Sequence, residues 1–168
     1  MKRRDFIFIA AVGGAGYLIG ANIVKKQTIN ENDAMRYIKA TLSEMFETSG
    51  NFPNLNRLNT MEYFSKVQHD PRIEMSNKTF ILDGARWISE RADEMFDRDF
   101  LLLSSEEKEK VMRDIAEYKW GDNWLYKLYT FYFESMFCDP LYGSNINKSG
   151  WKYLSYEPGF PRPSKVSI

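Results

Sequence analysis

One histidine and one cysteine are present in 168 residues, so any reactive side chain must be sought almost entirely among carboxylates, arginines and aromatics. His69, in Gln68-His69-Asp70-Pro71, is of the type that serves as a general base or a haem ligand. A lone histidine at a helix end more often caps the helix or faces water, and no second group in the sequence converts it into a catalytic pair. Cys138 carries more weight. An odd cysteine in an oxidising compartment points to a disulfide with another chain or to a free thiol, and a small buried hydrophobe is the plainer alternative. Its place between an apolar helix and an Asp-Pro turn is where a partner would dock. Glu90, Asp93, Glu94, Asp97 and Asp99 invite a metal reading, but a di-iron bundle needs Glu-x-x-His pairs. A calcium loop needs a glycine and a terminal glutamate at fixed offsets, which Asp97-x-Asp99 lacks. Arg86, Arg91 and Arg98 interleave with these acids, which reads as a solvated, ion-paired face.

The same scarcity excludes a Cys-x-x-Cys-His haem attachment, a zinc cluster and a cysteine-ligated iron–sulfur site. The glycine cluster Gly13-Gly14-Ala15-Gly16 follows no strand, so it is not a dinucleotide-binding fingerprint. Catalytic, metal and cofactor-binding residues are therefore expected to be none in this chain. With 23 basic and 23 acidic side chains and no basic stripe, no nucleic-acid partner is expected.

The first residues form a segment apart. Arg3-Arg4-Asp5-Phe6-Ile7 stands ahead of an uncharged, Gly/Ala-rich run from Phe6 to Val24, which Lys25-Lys26 closes. Adjacent arginines before such a run resemble the receptor-read address of the twin-arginine route, which moves folded proteins across a bacterial inner membrane. Arg3, Arg4 and Phe6 are its expected signal residues. Lys2 and Phe8 depart from the usual pattern, and the basic start of an ordinary secretory signal is the competing reading. Nineteen uncharged residues cover about 28 Å as a helix, close to a bilayer core, so the run suits an anchor as well. Ile19-Gly20-Ala21 is a poor small-x-small cleavage site, and Gly16-x-x-x-Gly20 is the spacing a glycine-rich stretch produces by chance. Residues 1–28 are taken as twin-arginine signal or membrane anchor, and 29–168 as one domain. Without Lys2, Arg3, Arg4 and Asp5 that remainder is mildly acidic.

The domain must be helical. Apolar residues recur at three- and four-residue spacing through Ala34, Ile38, Leu42, Met45 and Phe46, and stop near Gly50 and Pro53. A second, shorter helix is expected through Leu58, Met61, Phe64 and Val67, with Asn56 or Asn59 as cap and Asp70-Pro71 as its end. A third carries Ile81, Ala85, Ile88, Ala92, Met95 and Phe96 on one face. Ser104-x-x-Glu107 has the spacing of a reciprocal cap ahead of Val111, Met112 and Ile115. A fifth, from about Asp122 to Phe137, is apolar nearly all round, with Lys127 and Glu134 the only charges past its first residue. Such a helix is either central or covered on both sides, one of them by another protein. No alternating strand pattern and no repeat appears, so the class is all-α: a small bundle of about five helices. The last 30 residues are irregular and rich in Pro and Gly, yet hold Tyr142, Trp151, Tyr153 and Tyr156. A tail that aromatic is expected to pack, on its own helices or on a partner.

Phe137-Cys138-Asp139-Pro140-Leu141-Tyr142-Gly143-Ser144-Asn145, Gly150-Trp151-Lys152 and Pro158-Gly159 together resemble the small subunit, or subunit 3, of gluconate 2-dehydrogenase. That family shows Asp-Pro-aliphatic-Tyr-Gly-Gly-Asn, then Gly-Trp-Lys and Pro-Gly. Here Ser144 replaces the second glycine. The likeness covers residues 80 to 162 and is loose from Ile29 to Thr79. A twin-arginine leader is usual in the family.

The resemblance implies a non-catalytic partner of a flavin-dependent dehydrogenase of the glucose-methanol-choline type. FAD would sit on that partner and haem c on a cytochrome c subunit, with electrons passing from one to the other. Substrate would be oxidised at the periplasmic face of the inner membrane. This subunit would serve assembly and, through the twin-arginine translocase, export of the folded flavin subunit. Phe137, Asp139, Pro140, Tyr142, Gly143, Asn145, Gly150, Trp151 and Lys152 are the candidate partner-interface residues, and Cys138 the candidate for an inter-subunit disulfide. The alternative is a free-standing exported binding or chaperone protein of the same fold.

Overall fold

The computed structural model describes residues 29–48 and 50–159; Arg3, Arg4 and Phe6 lie outside the described residues. Its first helix, α1 (Glu31–Phe46), starts where the Asn30 side chain accepts the Asp33 amide at 2.9 Å, and Glu31 and Asp33 place negative charge at the positive end of the helix. Ala34, Ile38, Leu42 and Phe46 form its buried stripe.

The expected second helix is broken in two. The single turn α2 (Leu55–Leu58) is capped by Asn54, and α3 (Thr60–His69) follows after Asn59, which turns the chain at φ +54°. Asn56 caps neither, and Asn59 makes no side-chain cap. Its amide instead donates to the Gly143 carbonyl at 2.7 Å, a contact 84 residues away in sequence that local spacing does not reveal. α3 ends at Asp70 as expected.

The long helix α4 (Met75–Phe96) buries Ile81, Gly84, Ala85, Ile88 and Ala92. Its other side carries the ion pairs read from the sequence. Arg86 spans Asp83 and Glu90, and Arg91 meets Glu94. Arg91 also reaches Asp114 through two bonds of 2.5 and 2.7 Å, and Arg98 pairs with Glu107. Of the acidic cluster, Glu90 and Glu94 are thus paired with arginines and Asp99 accepts from the Tyr37 hydroxyl at 2.5 Å, and the Arg91 fork ties α4 to α5 (Ser105–Ala116). α5 begins with the expected reciprocal cap: the Glu107 amide donates to Ser104 Oγ and the Ser104 amide donates to Glu107 Oε2.

α6 (Lys119–Phe137) starts three residues before the expected position and packs against α1, α3, α4 and α5. Trp124, Leu128, Tyr132, Ser135 and Met136 form its inner side. Phe46 of α1 stacks on Tyr132 with ring planes 8° apart. The five longer helices correspond to the five expected, and one-turn helices account for the surplus. The last of these, α7 (Ser149–Tyr153), packs on α6, so the tail packs on its own helices at least as far as Tyr153. Every regular element among the described residues is helical, and none of those helices is long and apolar enough to cross a membrane.

Candidate functional site

Residues 137 to 153 leave the end of α6, make two 3-10 turns (Pro140–Tyr142 and Ile146–Lys148) and enter α7. Asp139 starts the first turn by accepting the Leu141 amide at 3.0 Å, with Pro140 at the first turn position. Proline suits that place because it has no amide to leave unpaired. Gly143 ends the turn at φ +89°, a left-handed conformation that strains any other residue.

The centre of this cap is Asn145. It is fully buried, lies at φ +53°, and uses every polar group it has. Its backbone amide donates to the Leu58 carbonyl at 2.7 Å, its side-chain amide to the Cys138 carbonyl at 3.0 Å, and its side-chain oxygen accepts from the Gly150 amide at 2.7 Å. One residue therefore holds α2, through its backbone, and the end of α6 and the start of α7, through its side chain, together. Trp151, also buried, donates its ring N–H to the Phe137 carbonyl at 2.9 Å, satisfying the C-terminus of α6. Gly150 lies so close to α6 that a Cβ there would fall 2.2 Å from the Met136 carbonyl oxygen. From α3, Lys66 donates to the Tyr142 carbonyl at 2.7 Å.

Asn147 and Lys148 share the left-handed backbone, with φ of +55° and +58°. Consecutive conformations of that kind persist only where contacts on both sides over-determine them. The cap is consequently a fixed shape.

A second polar layer joins α3 to α6 beneath it. Ser135 donates to the Tyr132 carbonyl at 2.7 Å, which leaves Thr60 to donate to Ser135 at 3.0 Å. Tyr63 donates to Glu134 at 2.8 Å, and burial together with that carboxylate pushes the Tyr63 hydroxyl pKa up, so it stays a donor.

The candidate interface residues thus divide. Asn145, Gly150 and Trp151 turn inward, because the ends of α2 and α6 need donors and only a small residue fits against Met136. They shape the surface and do not present it. Phe137, Tyr142 and Lys152 are exposed, and Asp139, Pro140 and Gly143 are partly so. Ser144, Asn59 and Lys66 belong to the same unit, and nothing in local spacing singles them out.

Cys138 is half-buried and unbridged among the described residues. Its sulfur lies 2.6 Å from Ser144 Oγ. Burial raises the thiol pKa, and the Ser144 hydroxyl opposes that rise. Alkylation of Cys138 in the purified chain is expected to follow a pH profile displaced upward from that of a free thiol, and Ser144→Ala should displace it further. A profile at or below the free-thiol range, measured by mass spectrometry of the alkylated protein, would refute this.

His69 ends α3 with its Nδ1 2.8 Å from the Ser65 carbonyl, and its ring is largely in water. Among the described residues no three His, Cys, Asp or Glu side chains are grouped to hold a metal ion. What the arrangement offers is a rigid, contoured surface.

That contoured segment lies within a stretch, residues 30–159, that matches the model of the family described as gluconate 2-dehydrogenase subunit 3. The chain belongs to that family. As a subunit 3 protein it is an accessory member of a multi-subunit gluconate 2-dehydrogenase-type complex. The match reaches back to residue 30, so the subunit 3 domain includes α1 to α3 as well as the cap. No curated protein and no solved structure matches the chain.

Proposed function

We propose that this chain is the non-catalytic small subunit of a membrane-associated, flavin-dependent dehydrogenase that oxidises gluconate or a related sugar, sugar acid or alcohol outside the cytoplasmic membrane. Its part is to hold the flavin subunit during assembly and to lend its twin-arginine leader to the folded pair. Electrons leave the flavin for a cytochrome c subunit.

The observation that carries this reading is the family match over residues 30–159. The cap supports it, since a segment rich in Asn, Gly, Tyr and Trp is spent on a fixed surface shape and not on a pocket with reactive groups. The residues of this chain do not fit the complex's cofactors. A single cysteine cannot make a haem c attachment, and among the described residues no glycine-rich strand-to-helix turn is present to cradle a pyrophosphate. FAD and haem c accordingly belong, in this proposal, to the partner subunits.

The test is affinity capture of the tagged full-length chain from detergent-extracted membranes of its own host. A co-purifying flavoprotein of the glucose-methanol-choline type, seen by flavin absorbance and identified by mass spectrometry, is the expected outcome. A colourless single species would move the reading to a free-standing binding or chaperone protein. The same sample run without reductant tests the bridge proposed at Cys138, for which a mixed species that reductant dissolves is expected.

A further inference from the structure

Surface helices normally turn polar residues outward. α6 does not. At 100° per residue Tyr126, Tyr129, Phe133 and Phe137 fall within about 80° of its circumference, on the side away from Trp124, Leu128 and Ser135. Tyr126 is 68%, Phe137 50% and Tyr129 46% exposed. The rings touch in series: Tyr129 and Phe133 have centroids 4.6 Å apart, Phe133 and Phe137 5.8 Å. Sideways, Phe133 meets Phe52 at 5.9 Å and Phe52 meets Tyr153 of α7 at 5.9 Å. The ridge is therefore an aromatic plate that runs from α6 across the 50–53 loop onto the cap.

Isolated exposed aromatics are ordinary, but a contiguous plate of them is the kind of patch that another molecule covers. Its border has a charge sign. Arg57 of α2 and Lys152 of α7 line a cleft of about 450 Å³ together with Phe52, Pro53 and Tyr153. Arg36, Arg72, Arg86, Arg91, Arg98 and Arg113 each have a carboxylate partner, whereas Arg57 and Lys152 have none among the described residues. Tyrosine, phenylalanine and arginine are the residue types enriched at the centres of protein interfaces, and two uncompensated cations beside them call for carboxylates on the other side.

We infer that this plate is the surface on which the larger, flavin-carrying subunit docks, through an apolar groove bordered by carboxylates that meet Arg57 and Lys152. The inference rests on the reading above that the partner is a flavoprotein, and it adds which face meets that partner and what chemistry the partner's face carries. An accessory subunit buries one face on its complex, and here the aromatic plate is bordered by Lys152 and by Arg57, the one arginine among the described residues without a carboxylate partner.

The test repeats the capture from host membranes with full-length variants and the co-captured flavoprotein as readout. Tyr129→Glu with Phe137→Glu, and separately Arg57→Glu with Lys152→Glu, should each lower the flavoprotein recovered by about tenfold or more. Met75→Glu and Leu102→Glu, at positions 73% and 74% exposed elsewhere on the molecule, should leave it unchanged. A photo-crosslinking phenylalanine introduced at Tyr126 in an otherwise unaltered chain should join to the flavoprotein, and one at Met75 should not, which keeps the test independent of any folding defect in the variants. Undiminished capture by both pairs, with no crosslink from position 126, overturns the assignment and leaves the subunit reading standing. Altered self-association with unaltered flavoprotein capture gives the plate to a second copy and also overturns it. Absence of flavoprotein from the unmodified chain removes both readings.

Discussion

Gly84→Ala is expected to destabilise the domain by about 2 kcal/mol, although alanine is the better helix former. Gly84 lies in the middle of α4 and is buried; a Cβ built on it would fall 2.1 Å from Cδ1 and Nε1 of Trp124. Those atoms belong to a flat, fully buried ring whose N–H donates to the Ile81 carbonyl at 3.0 Å. The ring has no free rotamer to retreat into, so the helices must separate and carry their shared core with them. Intrinsic propensity returns roughly 1 kcal/mol at most, less than the overlap costs. Trp124→Leu alone should cost about 3 kcal/mol, since it removes a large buried ring and its hydrogen bond. In the double variant the smaller side chain makes room for the new methyl, so the two losses should fall short of their sum by about 1 kcal/mol or more. Urea unfolding of the four proteins measures this directly. Strictly additive losses would mean that the close approach of α4 to α6 does not depend on this pair.

That contact shows where local sequence information ends. Apolar spacing was sufficient for α1, α4 and α5, because each buries one stripe and the period shows which residues share it, whereas α6, apolar nearly all round, was legible as a helix but not by its buried side. Ser104 and Glu107 were legible because the reciprocal cap is local to one turn. The break between α2 and α3 was not, because Asn59 takes a left-handed conformation held by a bond to Gly143, far along the chain. The cap was legible as a set of residues and not as a set of roles. Asn145 and Trp151 have polar atoms and looked like surface groups, yet the carbonyls at the ends of α2 and α6 need donors where water does not reach. Of the two readings of the all-round apolar α6, the structure bears out the central one on one side, where Trp124, Leu128 and Tyr132 are buried, while Tyr126, Tyr129 and Phe137 leave its other side exposed. The family match also extends upstream of the motif-bearing half, over α1 to α3.

Arg3→Lys combined with Arg4→Lys is expected to hold both this chain and the flavin subunit in the cytoplasm, and to reduce dehydrogenase activity outside the membrane to the level of a strain without the gene. The substitution keeps both positive charges, so the charge bias that orients an ordinary secretory signal is untouched. It removes two planar guanidinium groups whose fixed donor geometry an ammonium cannot reproduce. Loss of export would therefore report recognition of the arginine pair itself, whereas a basic start of the ordinary secretory kind should work equally well with lysines. The flavin subunit follows only if the pair forms before translocation, which is what a leader shared between folded partners requires. Fractionation with antibodies to each subunit, and activity of intact cells toward an impermeant electron acceptor, separate the possibilities. Normal export of both proteins would reject the twin-arginine reading. Arrest of the small subunit with normal export of the flavin subunit would retain that reading and reject the shared leader, leaving the aromatic plate and the cap to act only after the two proteins have crossed the membrane separately.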